Sequence, residues 1–169
     1  MDKRWIYILI IFIIGVACLY FIVDSSTTVG KANIYLDKFT ITVPSEYNIE
    51  DSGETHLQIV NKKTKERIII KDLGKKKDIH TEMQARLDAL NANENITLIK
   101  NTTIVNKNQT YPSIYYEKVT GTINRMTFFN NYKHGFSIEC SNFHDNRTIE
   151  EHTLFIIDNL RPDYKQKQS

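Results

Sequence analysis

The chain has 169 residues and a formal net charge of +2. Lys3, Arg4 and Asp2 leave residues 1–23 at +1, so everything after them also carries +1. A near-neutral remainder of about 140 residues is one ordinary domain's length, and it lacks the strongly basic face that nucleic acid would require.

Residues 1–4 form a short basic stub, and residues 5–23 (WIYILIIFIIGVACLYFIV) carry no charge. About 20 such residues in a helix cross the hydrocarbon core of a bilayer. Trp5, Tyr7, Tyr20 and Phe21 place aromatic rings at both ends, the depth such rings prefer. Lys3 and Arg4 precede the segment and Asp24 follows it. The positive-inside bias therefore puts the N-terminus in the cytoplasm and the rest of the chain outside, as a single-pass cell-membrane protein.

A cleaved signal peptide competes with this reading, but its apolar core should be shorter and end in small residues. A lipoprotein signal ending at Cys18 also competes, yet bulky Leu19 to Val23 continue the apolar run past the cysteine. An uncleaved anchor is the expectation.

Residues 24–33 (DSSTTVGKAN) read as a short polar tether, residues 34–162 as the folded domain, and residues 163–169 as a disordered tail. Within the domain, Phe39–Val43 alternates as a strand and stops at Pro44. Residues 55–61 and 67–73 are two further strands around a polar turn, Lys62 to Glu66. Asp78 caps a helix over 78–92, with Ile79, Met83, Leu87 and Leu90 as its apolar stripe and Glu82, Arg86 and Asp88 on the wet side.

Four strands follow, over 96–105, 111–119, 122–132 and 135–141. Tight turns at Val119–Thr122 and Tyr132–Gly135 join them, with glycine supplying positive φ. In the last strand Phe136, Ile138 and Cys140 form a buried face, while Ser137, Glu139 and Ser141 form a wet one. A helix over 149–160 closes the domain, with Thr148 and Glu151 as a capping box and Ile149, Phe155, Ile156, Ile157 and Leu160 as its apolar side.

The opening FTITVPSEY and the closing HTLFIIDNLRP resemble the end motifs of the PsbP/Mog1-like domain family, and the resemblance spans roughly residues 34–162. It implies an α+β fold, an antiparallel sheet packed with helices in an α/β/α sandwich. It also implies a binding or assembly role rather than catalysis.

The chemistry-bearing residues are sparse. His56, His80, His134, His144 and His152 match no metal motif. The nearest cluster is Glu139, Cys140, His144 and Asp145. Cys140 reads better as a small core residue and His144 as a loop residue, so no metal is expected. Cys18 lies in the apolar segment, which leaves Cys140 without a disulfide partner in the domain.

There is no nucleophile elbow and no phosphate loop, and no cofactor is expected. Lys62, Lys63, Lys65, Arg67, Lys71, Lys75, Lys76 and Lys77 crowd one region. A solvated hairpin is the favoured reading over a patch for an acidic partner or lipid headgroups. Tyr115 and Tyr116, like Phe128 and Phe129, should point to opposite faces of the sheet, mostly as core.

Four N-glycosylation sequons start at Asn95, Asn101, Asn108 and Asn146. Asn108 and Asn146 sit at turns and are the better acceptors in a host with that modification. The expected function is a membrane-tethered extracytoplasmic module that binds or assembles with an envelope protein. A surface hydrolase with a site assembled only in three dimensions is the alternative, and a pilin-like subunit ranks behind both.

Overall fold

The computed structural model describes residues 33–36, 39–75 and 77–162, with residues 33–36 described by backbone only. The expected membrane segment 5–23, most of the tether, Lys76 and the tail 163–169 lie outside the described residues. Among the described residues no helix is long and apolar enough to cross a membrane.

Among the described residues, two antiparallel sheets and two helices make up the domain. The small sheet has the order β1–β2–β10, from β1 (Asn33–Leu36), β2 (Phe39–Thr42) and β10 (Arg161–Pro162). The large sheet has the order β3–β4–β5–β9–β8–β7–β6. Its strands are β3 (Asn48–Ser52), β4 (His56–Val60), β5 (Arg67–Lys75), β6 (Ile96–Asn106), β7 (Gln109–Lys118), β8 (Ile123–Asn131) and β9 (His134–Phe143). Helix α1 (Ile79–Asn91) falls between β5 and β6, and α2 (Asn146–Asn159) between β9 and β10.

The helices take opposite faces of the large sheet, as the alternation of its side chains requires. Phe128 and Tyr116 pack with Ile79, Met83, Leu87 and Leu90 of α1. Phe129, Phe136, Ile138 and Cys140 pack with Ile149, Ile156, Ile157 and Leu160 at α2, together with Phe39, Ile41, Val43 and Tyr47 around the small sheet. The paired aromatics therefore split between faces as alternation predicts.

Asp78 caps α1, accepting from the His80 amide at 3.0 Å. The expected wet side of α1 is partly covered: Glu82 is half-buried, between Lys77 at 3.8 Å and Arg86 at 3.8 Å.

Four expectations are corrected. The strand count rises because β1, β3 and β10 were missed. Helix α2 starts at Asn146, since Asp145 is its N-cap and accepts from the amides of Arg147 and Thr148 at 3.2 and 2.9 Å. Thr148 instead donates its hydroxyl to Asp145 at 2.8 Å, and Glu151 pairs with Arg147 at 2.9 Å. The β8–β9 turn puts positive φ on Tyr132 and Lys133, not on Gly135. A side chain at Gly135 would crowd Lys77 Cβ at 3.2 Å, so close packing is what favours glycine there. Finally, Ser137 and Ser141 are buried rather than wet, because β9 is a central strand.

The cap at α2 makes a testable acid dependence. The Thr148 hydroxyl, and then the Thr148 and Arg147 amides, hold the Asp145 carboxyl below its ordinary value. Its charged form is thus favoured in the folded chain. Its contribution is complete above the unfolded value of about 4 and is lost as pH falls through the lower folded value. Asparagine caps helices about as well but does not titrate. The thermal midpoint of wild type should exceed that of Asp145→Asn near neutrality, with the gap closing below about pH 4. A gap that stays constant into acid would remove this assignment.

Candidate functional site

One cross-sheet row on the α2 face shows how the site arises. Register places Lys100 opposite Tyr115, Tyr115 opposite Arg125, Arg125 opposite Cys140, Cys140 opposite Ile68, and Ile68 opposite Ile59. The adjacent row runs Thr102, Ser113, Thr127, Ile138, Ile70, Leu57. Both rows are apolar at the β4–β5 end and polar at the β6–β7 end. The polar ends leave an opening of about 300 Å³, lined by Lys100, Asn101, Thr102, Tyr115, Glu117, Arg125, Asn146 and Glu150.

Arg125 forms the floor, with its side chain only 2% exposed. A bulge between Ile123 and Arg125 in the β8–β9 ladder precedes it. The bulge is held by Asn124, which is fully buried, donates to the Thr122 carbonyl at 3.1 Å and accepts from the Asn142 amide at 3.1 Å. Asn142 itself adopts a φ of 64°.

The Arg125 guanidinium has three partners. Nη1 donates to Glu150 Oε1 at 2.6 Å and to Asn146 Oδ1 at 3.2 Å, and Nη2 donates to the Thr103 carbonyl at 2.8 Å. Nε has no hydrogen-bond partner among the described residues. Thr103 stands opposite Pro112, an imide with no N–H to give. Register turns Pro112 toward β8, and the β7–β8 ladder ends beside it at Ser113 and Thr127, while Thr103 points away from β7.

Glu150 is the solvent-facing partner. Its side chain is 40% exposed and bonds Arg125 through one oxygen rather than the bidentate fork a carboxylate can make. Tyr115 donates its hydroxyl to Glu117 Oε1 at 2.6 Å, and burial, followed by that carboxylate, pushes the phenol up to about 12. It therefore remains a neutral donor. With Glu150 in place, the two cations and two carboxylates of the lining balance. With Glu150 turned out to water, the site presents a net positive charge and a free guanidinium edge, which suits a carboxylate or phosphate.

The residues singled out in the sequence lie as follows. Asn95 and Asn108 are exposed in the turns before and after β6, and Asn101 is exposed on β6. Asn146 is the first residue of α2 and half-buried, its amide nitrogen donating to Glu150 at 3.1 Å. The Glu139–Cys140–His144–Asp145 cluster is pulled apart by strand alternation. Glu139 accepts from Tyr116 at 3.0 Å on the α1 face, Cys140 meets Thr153 at 3.5 Å on the α2 face, and Asp145 caps the helix. Among the described residues no group of three metal-ligating side chains converges. The Lys62–Lys65 run lies in an exposed turn, and Arg67 pairs with Glu50 at 3.3 Å.

Two histidine pairs, one buried and one partly exposed, escaped sequence reading. His134 Nδ1 meets the Asp72 carboxylate at 2.9 Å beneath Phe39 and Phe136. His152 joins Glu46 at 3.0 Å to the Tyr47 hydroxyl at 3.2 Å, and Tyr47 also donates to Glu66 at 3.2 Å. Burial, and then the charge of Glu66, pushes the Tyr47 phenol far up. These pairs tie the segment after β2 and the β5–β9 ladder to their neighbours, and neither opens onto the Arg125 site. The signal for Arg125 was present as a lone cation inside the apolar stretch TINRMTFF, one strand after an interior proline.

No family model matches the sequence, and no curated protein matches it. Solved structures do. The Saccharomyces cerevisiae Ran-binding protein Mog1p superposes with a TM-score of 0.55 at 11% identity, over 79% of this chain and 95% of that one. A mutant of protein Mog1 gives 0.55 at 11% identity, over 80% and 96%. The solution structure of PsbP from the cyanobacterium Synechocystis gives 0.48 at 13% identity, over 82% and 96%. The chain has the PsbP/Mog1-like fold, an assignment that rests on the Mog1 structures; at these identities the likeness is one of fold.

Proposed function

We propose that this protein is a membrane-tethered extracytoplasmic binding or assembly module, working without catalysis, that grips an anionic group of an envelope protein partner through Arg125. The carrying observation is a buried guanidinium at the floor of an opening, its only carboxylate partner half in water. The tether rests on residues 5–23 and the charge asymmetry around them. The fold likeness to a Ran-binding protein is compatible with a protein partner. The hydrolase alternative draws no support from Cys140, whose thiol is buried and pushed up to about 12 by that burial, so it stays protonated and un-nucleophilic. In a glycosylating host, Asn108 is the sequon best placed for modification, being exposed at a turn.

The test starts from membranes solubilised in mild detergent. The full chain should sediment with membranes, co-purify with a partner, and lose that partner on Arg125→Lys, which keeps the charge but not the planar fork. Circular dichroism should show the variant folded. A chain that purifies alone under every condition, cross-linker included, would overturn the reading.

A further inference from the structure

The two outer edges of the large sheet are treated differently. Edge strand β3 has five residues, with a bulge between Ile49 and Asp51 and two acids, Glu50 and Asp51, tied to Gln58, Arg67 and His56. Those are devices that block pairing with another strand. Edge strand β6 has eleven residues, no proline and a single charge, Lys100. Val105 on it is 63% exposed, and Thr97, Asn101 and Thr103 are exposed as well.

The β6 backbone is oriented for pairing. The two-residue turn Lys107–Asn108 makes Asn106 and Gln109 a hydrogen-bonded pair, and the unbroken register from there turns the even-numbered residues of β6 toward β7. In an antiparallel strand the N–H and C=O of one residue point the same way, and the direction alternates. Asn101, Thr103 and Val105 therefore present their N–H and C=O groups outward, where none of the described strands lies and where Arg125 takes the Thr103 carbonyl.

The Arg125 opening abuts this edge, because Lys100, Asn101 and Thr102 of β6 line it. A strand added at about 4.8 Å from β6 would send every second side chain onto the α2 face, beside Lys100. From there a glutamate can reach over β6 to the guanidinium. Lys100 and Lys107 are exposed along the edge and β6 holds no acid, so the complementary segment is acidic.

We propose that β6 takes up an extended, acidic segment of the partner protein as an eighth strand, with one of its carboxylates replacing Glu150 on Arg125. This rests on the reading above and names the partner's chemistry. Backbone hydrogen bonds would supply affinity, and the Arg125 opening would supply the preference for a carboxylate at one alternate position.

The test uses the full chain in detergent and the labelled peptide acetyl-Thr-Glu-Val-Glu-Val-Glu-Thr-amide, followed by fluorescence anisotropy. Binding should weaken about tenfold or more when the glutamates become lysines, and equally when alternate peptide nitrogens are methylated in either frame. Val105→Pro, which removes one outward N–H while leaving the ladder to β7, should weaken it similarly. Glu150→Ala should tighten binding severalfold by removing the internal competitor. Equal binding of the methylated and plain peptides overturns the added strand and leaves the Arg125 reading standing. Binding that ignores Arg125→Lys but is lost on methylation overturns the Arg125 reading and, with it, the carboxylate exchange. No peptide binding, with the chain doubling its mass as concentration rises, overturns the proposal in favour of a second copy on this edge; no binding without self-association overturns it outright.

Discussion

Phe136→Ala is expected to lower the unfolding free energy by about 3–5 kcal/mol, the range for a fully buried phenylalanine truncated in a core. Phe136 is wholly buried on β9, between β5 and β8. Its ring stacks on Phe129 at 5.4 Å and meets Phe39 edge-on at 5.0 Å, with His134 at 6.2 Å. It therefore joins the large sheet to the small one. Truncation opens a cavity where those rings meet, and a central strand cannot move to fill it. Urea unfolding followed by near-UV circular dichroism measures the loss. Tyr132→Ala, at a 45% exposed turn position, is the control and should change stability by less than about 0.5 kcal/mol. Similar losses for the two would remove the account of how the sheets are joined.

Much of this packing was legible in the residues. Alternation placed Phe136, Ile138 and Cys140 on one face and separated Phe128 from Phe129, because strand geometry leaves side chains no other choice. Asp78 and the Ile79–Leu90 stripe gave α1 nearly to the residue, since cap and period agree there. β3 was illegible for the opposite reason. NIEDS has no apolar alternation and is exposed throughout, and it is a strand because β4 offers it an edge. The start of α2 was misplaced because Asp145 and Thr148 both look like caps, and the carboxylate, with two backbone amides within reach, is the one that serves.

The site was less legible than the fold. Lys100, Tyr115, Arg125 and Glu150 come from three strands and a helix, and only the register of β6, β7 and β8 brings them together. Periodicity read Arg125 as one more position in a strand. The local signal was Pro112, which ends the β7–β8 ladder at Ser113 and Thr127 because it has no N–H to give β8. In the next strand, Arg125 reaches the Thr103 carbonyl of β6. A structural contact and the proposed binding surface share one residue: Nη2 of the arginine bonds the Thr103 carbonyl, and Nη1 meets Glu150 at the opening.

The Arg125–Glu150 pair should respond unequally to losing either partner. Glu150→Ala leaves a buried guanidinium with only Asn146 and the Thr103 carbonyl. Removing one member of a wholly buried pair costs about 3–5 kcal/mol, and water at the half-exposed carboxylate reduces the figure here to about 2–3 kcal/mol. Arg125→Met instead releases Glu150 to solvent and forfeits the Thr103 hydrogen bond, a loss of about 1–2 kcal/mol. The double variant should be more stable than the sum of the two losses predicts, because the stranded charge is gone. Acetate supplies the missing carboxylate, so it should raise the thermal midpoint of Glu150→Ala and leave Arg125→Met unmoved. That difference would show that a carboxylate from outside can occupy the place of Glu150, the exchange on which the proposed partner recognition depends. An equal response of the two variants to acetate would mean that Glu150 is a fixed strut and that the opening is not where a partner's anion is held.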